Sequence, residues 1–162
     1  MQKTMETHYI FIRGAMETGK SAVAACLAKE LNCPAVCGDD CWIWNEKPSA
    51  RQKEKVLENI ALKLNALYGE KYVVFEWVMH LNAIVEQIKS KLPFGARVSE
   101  FILDSDEKTL KNRILSSGGN LSKVKRALER KDQMQKSKKS FIIITTNITA
   151  AEAANNIKEQ LC

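Results

Sequence analysis

The stretch GAMETGKS at residues 14–21 decides how this sequence folds. It matches the spacing G-x-x-x-x-G-K-[ST] at every fixed position, and it lies between a short apolar run and an amphipathic one. Gly14 and Gly19 let the backbone curl so that successive N–H groups point at phosphate oxygens. Lys20 would then reach the β- and γ-phosphates, and Ser21 would ligate Mg²⁺. The pattern therefore predicts a phosphate-binding loop between a strand and a helix.

Short apolar runs alternate with longer amphipathic stretches along the rest of the chain. The predicted strands are residues 8–13, 34–38, 71–78, 97–103 and 141–146. The predicted helices are residues 20–31, 49–68, 80–92, 106–115, 121–135 and 149–161. Ser49 is an expected helix cap, and Thr149 with Glu152 has the spacing of a capping box. Strands separated by such helices pair in parallel, so we expect one three-layer α/β domain over residues 1–162, with helices on both faces of a five-stranded sheet.

The charge of the chain is concentrated in one segment. The 162 residues carry a net charge of +6, which by itself favours a nucleic-acid partner. Residues 106–140, however, hold eleven Lys or Arg and four Asp or Glu, an excess of +7, so the remaining residues are nearly neutral. Few aromatic residues are interleaved with these charges, which argues against single-stranded nucleic acid. A nucleoside triphosphate is the polyanion that this charge distribution favours.

Composition and cysteine content limit the class of protein further. No window approaches 18 consecutive apolar residues, and the first residues do not form a secretory signal, so we expect a cytoplasmic protein with no membrane partner. The odd number of cysteines favours reduced thiols over a disulfide framework. Three cysteines lie four residues apart, but no second ligand pair follows, which disfavours zinc. The cysteines are Cys26, Cys33, Cys37, Cys41 and Cys162.

Two further features accompany the phosphate loop. An acidic turn, CGDDCW at residues 37–42, follows the second predicted strand, and a helix rich in Arg and Lys lies between the fourth and fifth. With these three features the chain resembles the small P-loop kinases, the group that contains shikimate, gluconate, chloramphenicol and nucleotide kinases. The runs GDDCW and VFEWVMH are also similar to those of a bacterial branch of nucleotide-kinase-like ATPases. The resemblance implies the strand order 2-3-1-4-5, ATP with Mg²⁺, and a helical lid at about residues 116–138.

The acidic turn is the expected acceptor side of the site. Phosphoryl transfer to an alcohol needs a carboxylate that orients the acceptor oxygen and accepts its proton. We expect Asp39 to have this role, with Asp40 as the alternative. A solvent-exposed turn without a catalytic role would also explain the two acids. In the related kinases this turn often reads Asp-x-Asp, and here Cys37 stands in place of the first acid. That departure leaves the metal-side role open to Asp40.

An acid closes the third predicted strand. Glu76 ends an otherwise apolar run, where burial without partners would be costly, so we expect a metal-side or substrate role. Trp77 and His80 follow at the mouth of the same crevice, and Trp42 lies near the other wall. Aromatic walls suit a planar or sugar-like acceptor, although core packing explains each Trp equally well.

The basic helix is the expected lid. Arg126 and Arg130 are four residues apart on one helix face, and arginine forks suit the charge of a transferring phosphoryl group. Arg113, on the preceding helix, is a further candidate. A solvated helix without a ligand is the alternative. The adenine is expected near the base of the lid and residues 146–148.

The sequence thus predicts an ATP-dependent phosphotransferase that moves the γ-phosphoryl group to a hydroxyl or phosphate of a small molecule or nucleotide. The alternative is a nucleotide-binding regulatory or accessory ATPase without an acceptor. The expected catalytic residues are Lys20, Asp39, Asp40, Arg126 and Arg130. The expected nucleotide-binding residues are Gly14, Ala15, Met16, Glu17, Thr18, Gly19, Lys20, Ser21, Ala22 and Arg113. The expected substrate residues are Asp39, Trp42, Glu76, Trp77 and His80, and the expected metal-side residues are Ser21 and Glu76.

Overall fold

A computed structural model describes residues 5–44, 49–135 and 140–161. The last residues of the expected lid, 136–138, and Cys162 lie outside the described residues. The strands are β1 (His8–Gly14), β2 (Ala35–Cys37), β3 (Tyr72–Glu76), β4 (Arg97–Asp104) and β5 (Phe141–Ile144). The α-helices are α1 (Lys20–Leu31), α2 (Ala50–Ala66), α3 (Asn82–Ser90), α4 (Glu107–Ser116), α5 (Leu121–Gln135) and α6 (Ala150–Glu159), and Gly38–Cys41 is a short 3-10 helix.

The five strands form one parallel sheet in the order β2-β3-β1-β4-β5. The predicted α/β fold and strand order are therefore confirmed. In the register of the central strand, Ile12 lies opposite Glu76 of β3 and Phe101 of β4. The carboxyl ends of parallel strands meet at one edge of the sheet, which is where ligands bind in such folds. The phosphate loop, the 3-10 helix and Glu76 all follow or end strands at this edge.

Each face of the sheet is covered by a different pair of helices. Alternate residues of a strand point to opposite faces, so Ile10 and Ile12 of β1 pack on α1 and α6, while Tyr9 and Phe11 pack on α2 and α3. All seven residues of β1 are buried. This explains why the central strand reads as a continuous apolar run in the sequence.

Helix α5 packs directly on the phosphate loop. Val124 and Ala127 form a small buried cluster with Ala15 of the loop and Ile114 of α4. The other end of α5 is tied to the sheet, because Lys131 Nζ lies 2.7 Å from Asp104 Oδ1 at the end of β4. The helix expected to form the lid is thus attached to the loop that it would cover.

Two predicted helix starts are confirmed by their caps. Ser49 accepts a hydrogen bond from the backbone of Gln52 and Thr149 accepts one from Glu152, and in both cases the capping box is complete. Satisfying two otherwise unpaired N–H groups in this way is typically worth about 1 kcal/mol.

The third helix begins later than the sequence predicts. A helix was expected over residues 80–92, but α3 starts at Asn82. Met79 has a left-handed backbone, with φ of 37°, and its carbonyl oxygen accepts two hydrogen bonds from Arg13. Residues 77–81 therefore form a loop at the edge of the sheet, and His80 lies in this loop and not in the first turn of a helix. No helix among the described residues is both long and apolar enough to cross a membrane.

Candidate active site

The phosphate loop is held in shape by its own side chains. Gly19 has φ of 95°, a left-handed conformation that favours glycine. The Thr18 hydroxyl donates to the Ala15 carbonyl at 2.8 Å, and Lys20 Nζ donates to the same oxygen at 3.0 Å. Burial lowers the pKa of Lys20, and the Glu76 carboxylate opposes that shift. The lysine thus lies within the loop, next to the space in which phosphate oxygens would bind.

The metal-side pair predicted from the sequence is brought together. Ser21, at the second position of α1, lies with its Oγ 3.0 Å from Glu76 Oε1. Only 4% of the Glu76 surface is exposed, so its carboxylate is buried against this hydroxyl. Mg²⁺ takes oxygen ligands and keeps several waters, and it is usually bound by one or two protein groups plus substrate phosphates. The Ser21–Glu76 pair fits such an ion.

Cys37 occupies the place of the first acid in the turn. It is the last residue of β2 and lies opposite Glu76 in the sheet register. Burial and hydrogen bonding to Glu76 raise the pKa of the Cys37 thiol to about 11. The thiol is therefore protonated at neutral pH and cannot replace a carboxylate as a hard metal ligand.

The acidic turn carries two exposed carboxylates on the 3-10 helix. Asp39 Oδ1 accepts a hydrogen bond from Trp77 Nε1 at 3.1 Å. Burial lowers the pKa values of Lys20 and Arg130, and the Asp39 charge opposes both shifts, so Asp39 lies within electrostatic reach of the phosphate loop and the basic helix. Neither group is influenced in this way by Asp40. The geometry thus favours Asp39 over Asp40 as the acid facing the site.

Arg13, the residue before the loop, was missed by the sequence analysis. Its side chain is fully buried, and its Nε and Nη2 donate to the Met79 carbonyl at 2.9 and 2.7 Å. Nη1 donates to Asn82 Oδ1 at 3.2 Å and lies 3.6 Å from Glu100 Oε2. A charged residue at the end of an otherwise apolar strand was the signal that could have identified it.

His80 lies beside this arginine in the loop between β3 and α3. Burial lowers the pKa of its imidazole, and the positive charges of Arg130 and Arg13 lower it further. Its Nδ1 is buried and has no hydrogen-bond partner among the described residues. His80 is therefore neutral at pH 7, within electrostatic reach of Arg130 on the basic helix and of Arg13.

The two arginines of α5, the helix predicted to form the lid, differ in position. Arg130 is half-buried and Arg126 is exposed. The Arg130 charge lowers the pKa values of Lys20 and His80, while burial and the neighbouring Arg126 lower that of Arg130 itself. Neither guanidinium forms an ion pair with a carboxylate in the described part of the chain. Of the two, Arg130 is thus the one that reaches the phosphate loop.

Arg113 differs from the two arginines of α5, because its guanidinium is hydrogen-bonded to the protein. Its guanidinium donates to the Glu17 carbonyl at 3.2 Å, to the Thr145 carbonyl at 3.0 Å and to Ser105 Oγ at 3.2 Å. With these contacts it joins the phosphate loop to the segment after β5. It also lines a cavity of about 240 Å³, together with Gly19 and Ile148. This cavity lies where adenine was expected, and Arg113 is one of the residues that line it.

The remaining predicted residues are placed less directly. Met16 packs against the cluster between the loop and α5, and Ala22 is exposed in the first turn of α1. Trp42 is 39% exposed, and its ring packs edge to face against Trp44 at 6.5 Å between centroids. The structure thus pairs Trp42 with Trp44, whereas Trp77 contacts the acidic turn.

Comparison with known proteins agrees with this geometry. Residues 10–136 match a family model described as an AAA domain. The chain belongs to this AAA-domain family. The matched region begins in β1 and ends at the close of α5, so it includes the phosphate loop, the acidic turn, Glu76 and the basic helix. No curated protein sequence matches the chain.

Solved structures similar to this AAA-domain protein include several kinases. A gluconokinase from Sinorhizobium meliloti has 16% identity and a TM-score of 0.70, covering 99% of this chain and 97% of its own. A shikimate kinase from Aquifex aeolicus has 18% identity and a TM-score of 0.66, covering 94% and 95%. An APS kinase from Mycobacterium tuberculosis, solved with AMPPNP and APS, has 15% identity and a TM-score of 0.70, covering 96% and 98%. The predicted resemblance is confirmed at the level of the fold.

Proposed function

We propose that this chain is an ATP-dependent phosphotransferase, which moves the γ-phosphoryl group to a hydroxyl or phosphate of a small molecule or nucleotide. The observation that carries the proposal is the position of Asp39. Its exposed carboxylate lies within electrostatic reach of Lys20 in the phosphate loop and of Arg130 on α5. A phosphate-binding loop alone serves many ATPases, whereas a free carboxylate beside it can serve an acceptor.

Each residue would have a defined part in the transfer. The acceptor oxygen attacks the γ-phosphorus, the bond from that phosphorus to the β,γ-bridging oxygen breaks, and ADP leaves. Asp39 accepts the proton that the acceptor hydroxyl loses. Lys20 and Arg130 stabilise the negative charge on the transferring group. When bound, Mg²⁺ would neutralise charge on the phosphate oxygens, and Ser21 and Glu76 are the residues that would hold it.

The base of ATP would occupy the cavity next to Arg113. This cavity is lined by Gly19 at the loop and by Ile148 and Thr149 before α6. The phosphates would then extend over the loop toward Lys20, and the acceptor would lie between the acidic turn and the loop of residues 77–81. ATP and the acceptor would thus contact different parts of the crevice, which suits a two-substrate reaction.

The proposal is tested by a coupled assay of ADP release across nucleosides, nucleotides, sugars, hydroxy acids and aminoglycosides. At least one acceptor should raise ADP release above the rate with water. Asp39→Asn should lower turnover with that acceptor by roughly a hundredfold or more, with ATP affinity nearly unchanged. Lys20→Ala should abolish ATP binding, and Glu159→Gln, at the far end of α6, should behave like the unchanged chain.

Two results would contradict the proposal. If Asp40→Asn, but not Asp39→Asn, removes activity, the role of the base passes to Asp40. If ATP binding depends on Lys20 but no acceptor raises ADP release, the chain is better described as a nucleotide-binding regulatory protein.

A further inference from the structure

The contact between Trp77 and the acidic turn depends on the glycine at position 38. The indole ring of Trp77 lies directly on the backbone of Gly38, and a Cβ atom at Gly38 would come within 2.3 Å of Trp77 Cγ and 2.6 Å of Cδ1. No residue other than glycine fits beneath the ring without moving it. The ring is therefore seated against the backbone at the start of the 3-10 helix.

This seat places the polar edge of the indole at Asp39. Trp77 Nε1 donates a hydrogen bond to Asp39 Oδ1 at 3.1 Å. Because a carboxylate has two oxygens, the second one, Oδ2, is left to accept a proton. The Asp39 side chain is exposed on a one-turn helix, where it would otherwise rotate freely.

The tryptophan itself is fixed to the centre of the sheet. Its backbone N–H donates to the Ile12 carbonyl at 3.1 Å, in the strand that leads into the phosphate loop. Arg13, the next residue of the same strand, donates two hydrogen bonds to the carbonyl of Met79, which lies two residues after Trp77. The Asp39 carboxylate is thus linked, through the Trp77 indole, to β1, the strand that leads into the phosphate loop.

We infer that Trp77 is a positioning residue for Asp39: its indole N–H holds one carboxylate oxygen so that the other faces the acceptor, and Gly38 provides the seat. This inference rests on the proposed phosphotransferase function. It gives Trp77 a role different from that of an aromatic wall for the acceptor, because the function lies in the Nε1 atom and not in the face of the ring.

Kinetics of Trp77→Phe provide the first test, since phenylalanine keeps an aromatic ring and removes the N–H donor. With an acceptor found in the ADP-release screen, kcat should fall about tenfold or more while the Kd of ATP stays unchanged. Gly38→Ala should cause a similar loss, because it displaces the ring. Tyr72→Phe, which also removes a polar atom from an aromatic residue at the opposite end of β3, should have no effect.

The hydrogen bond itself is tested by the proton NMR signals of the indole N–H groups. The chain has three tryptophans, and Trp77→Phe identifies the signal of Trp77. That signal should shift and exchange faster with solvent in Asp39→Ala, which leaves no side-chain acceptor, and in Gly38→Ala, and it should stay in place in Asp40→Asn. Thermal unfolding of each variant establishes that it is folded.

The outcomes separate this inference from the function on which it rests. Unchanged kcat in Trp77→Phe, with an inactive Asp39→Asn, would overturn the positioning role and leave the phosphotransferase standing. An indole signal that does not respond to Asp39→Ala would overturn it as well. Absence of turnover with every acceptor in the unchanged chain would instead overturn the proposed function, and the positioning role with it.

Discussion

At the scale of single residues, Glu76 has the most clearly defined surroundings. It is an acid at the end of a buried strand, and its carboxylate is satisfied by the Ser21 hydroxyl at 3.0 Å. Desolvating a carboxylate costs several kcal/mol unless it is paired or hydrogen-bonded, and the Ser21 hydroxyl and the nearby Lys20 charge provide that compensation. In the proposed function, a divalent cation bound with ATP would add to it.

Replacing Glu76 by Gln should therefore weaken the magnesium dependence of nucleotide binding. The Mg²⁺ concentration for half-maximal binding of a fluorescent ATP analogue should rise about tenfold or more, because an outer-sphere carboxylate commonly contributes that factor. Glu70→Gln, in the exposed turn before β3, is the matched control and should leave the titration unchanged. Equal magnesium requirements in both variants would remove Glu76 from the metal side.

The residue scale also shows what sequence reasoning can find. Lys20, Ser21, Asp39 and Glu76 were identified because each is a chemically active residue at the end of an apolar strand or in a known motif. The contact of Trp77 Nε1 with Asp39 could not be found in this way, since it joins residues 38 positions apart and depends on the seat at Gly38. Patterns identify residues that are unusual for their element, whereas pairs of residues from different elements need coordinates.

At the scale of elements, Arg13 joins three parts of the fold. It extends from the end of β1 to the loop of residues 77–81, to α3 through Asn82, and to Glu100 of β4. Glu100 also pairs with Lys89 of α3, at 2.5 Å between Oε1 and Nζ. The loop of residues 77–81 is thus anchored by a partly buried ionic network and not by apolar packing alone.

Substituting Arg13 with Met should lower the free energy of unfolding by about 3 kcal/mol. The Met79 carbonyl would lose both of its donors and Glu100 would lose one cation, and removing one member of a buried pair is more costly than removing an exposed charge. Urea unfolding provides the measurement. Arg97→Met, at the exposed start of β4, should change stability by no more than about 0.5 kcal/mol. A similar small effect at Arg13 would show that the network contributes little.

Element boundaries were predicted well where local chemistry sets them. The capping boxes at Ser49 and Thr149 fixed the starts of α2 and α6. The start of α3 was predicted two residues too early, because the apolar periodicity of residues 81–92 begins within the loop. Arg13 fixes that loop through its hydrogen bonds to the Met79 carbonyl. Local signals define a boundary unless a distant side chain competes for the same backbone groups.

At the scale of the whole molecule, the phosphate-loop motif and the alternation of strands and helices were sufficient for the α/β class. The strand order followed from the resemblance to the small P-loop kinases, and the sheet has that order. The segment of residues 116–138 is still a predicted lid. Its described part, α5, lies against the loop through Val124 and Ala127, a packing that helical periodicity alone could not assign to a particular neighbour.

The two histidines should make the fold sensitive to mild acid. Burial lowers the pKa values of His8 and His80 below the ordinary 6.5. Between pH 6.5 and these lower values the unfolded chain binds more protons than the folded one, so stability falls as the pH falls through this window. Thermal unfolding from pH 7.5 to 5 should show this loss, and His80→Asn should reduce it. An unchanged pH dependence in His80→Asn would exclude its contribution.

The packing of α5 on the phosphate loop has a consequence for regulation. Ala15 belongs both to the loop and to the cluster with Val124, so the nucleotide and any molecule that engages α5 act on shared structure. If an acceptor changes how tightly α5 holds the loop by some factor, ATP must change the affinity for that acceptor by the same factor, because binding linkage is reciprocal. In the proposed reaction each substrate would in this sense be an effector of the other, through the structure that the loop and α5 share.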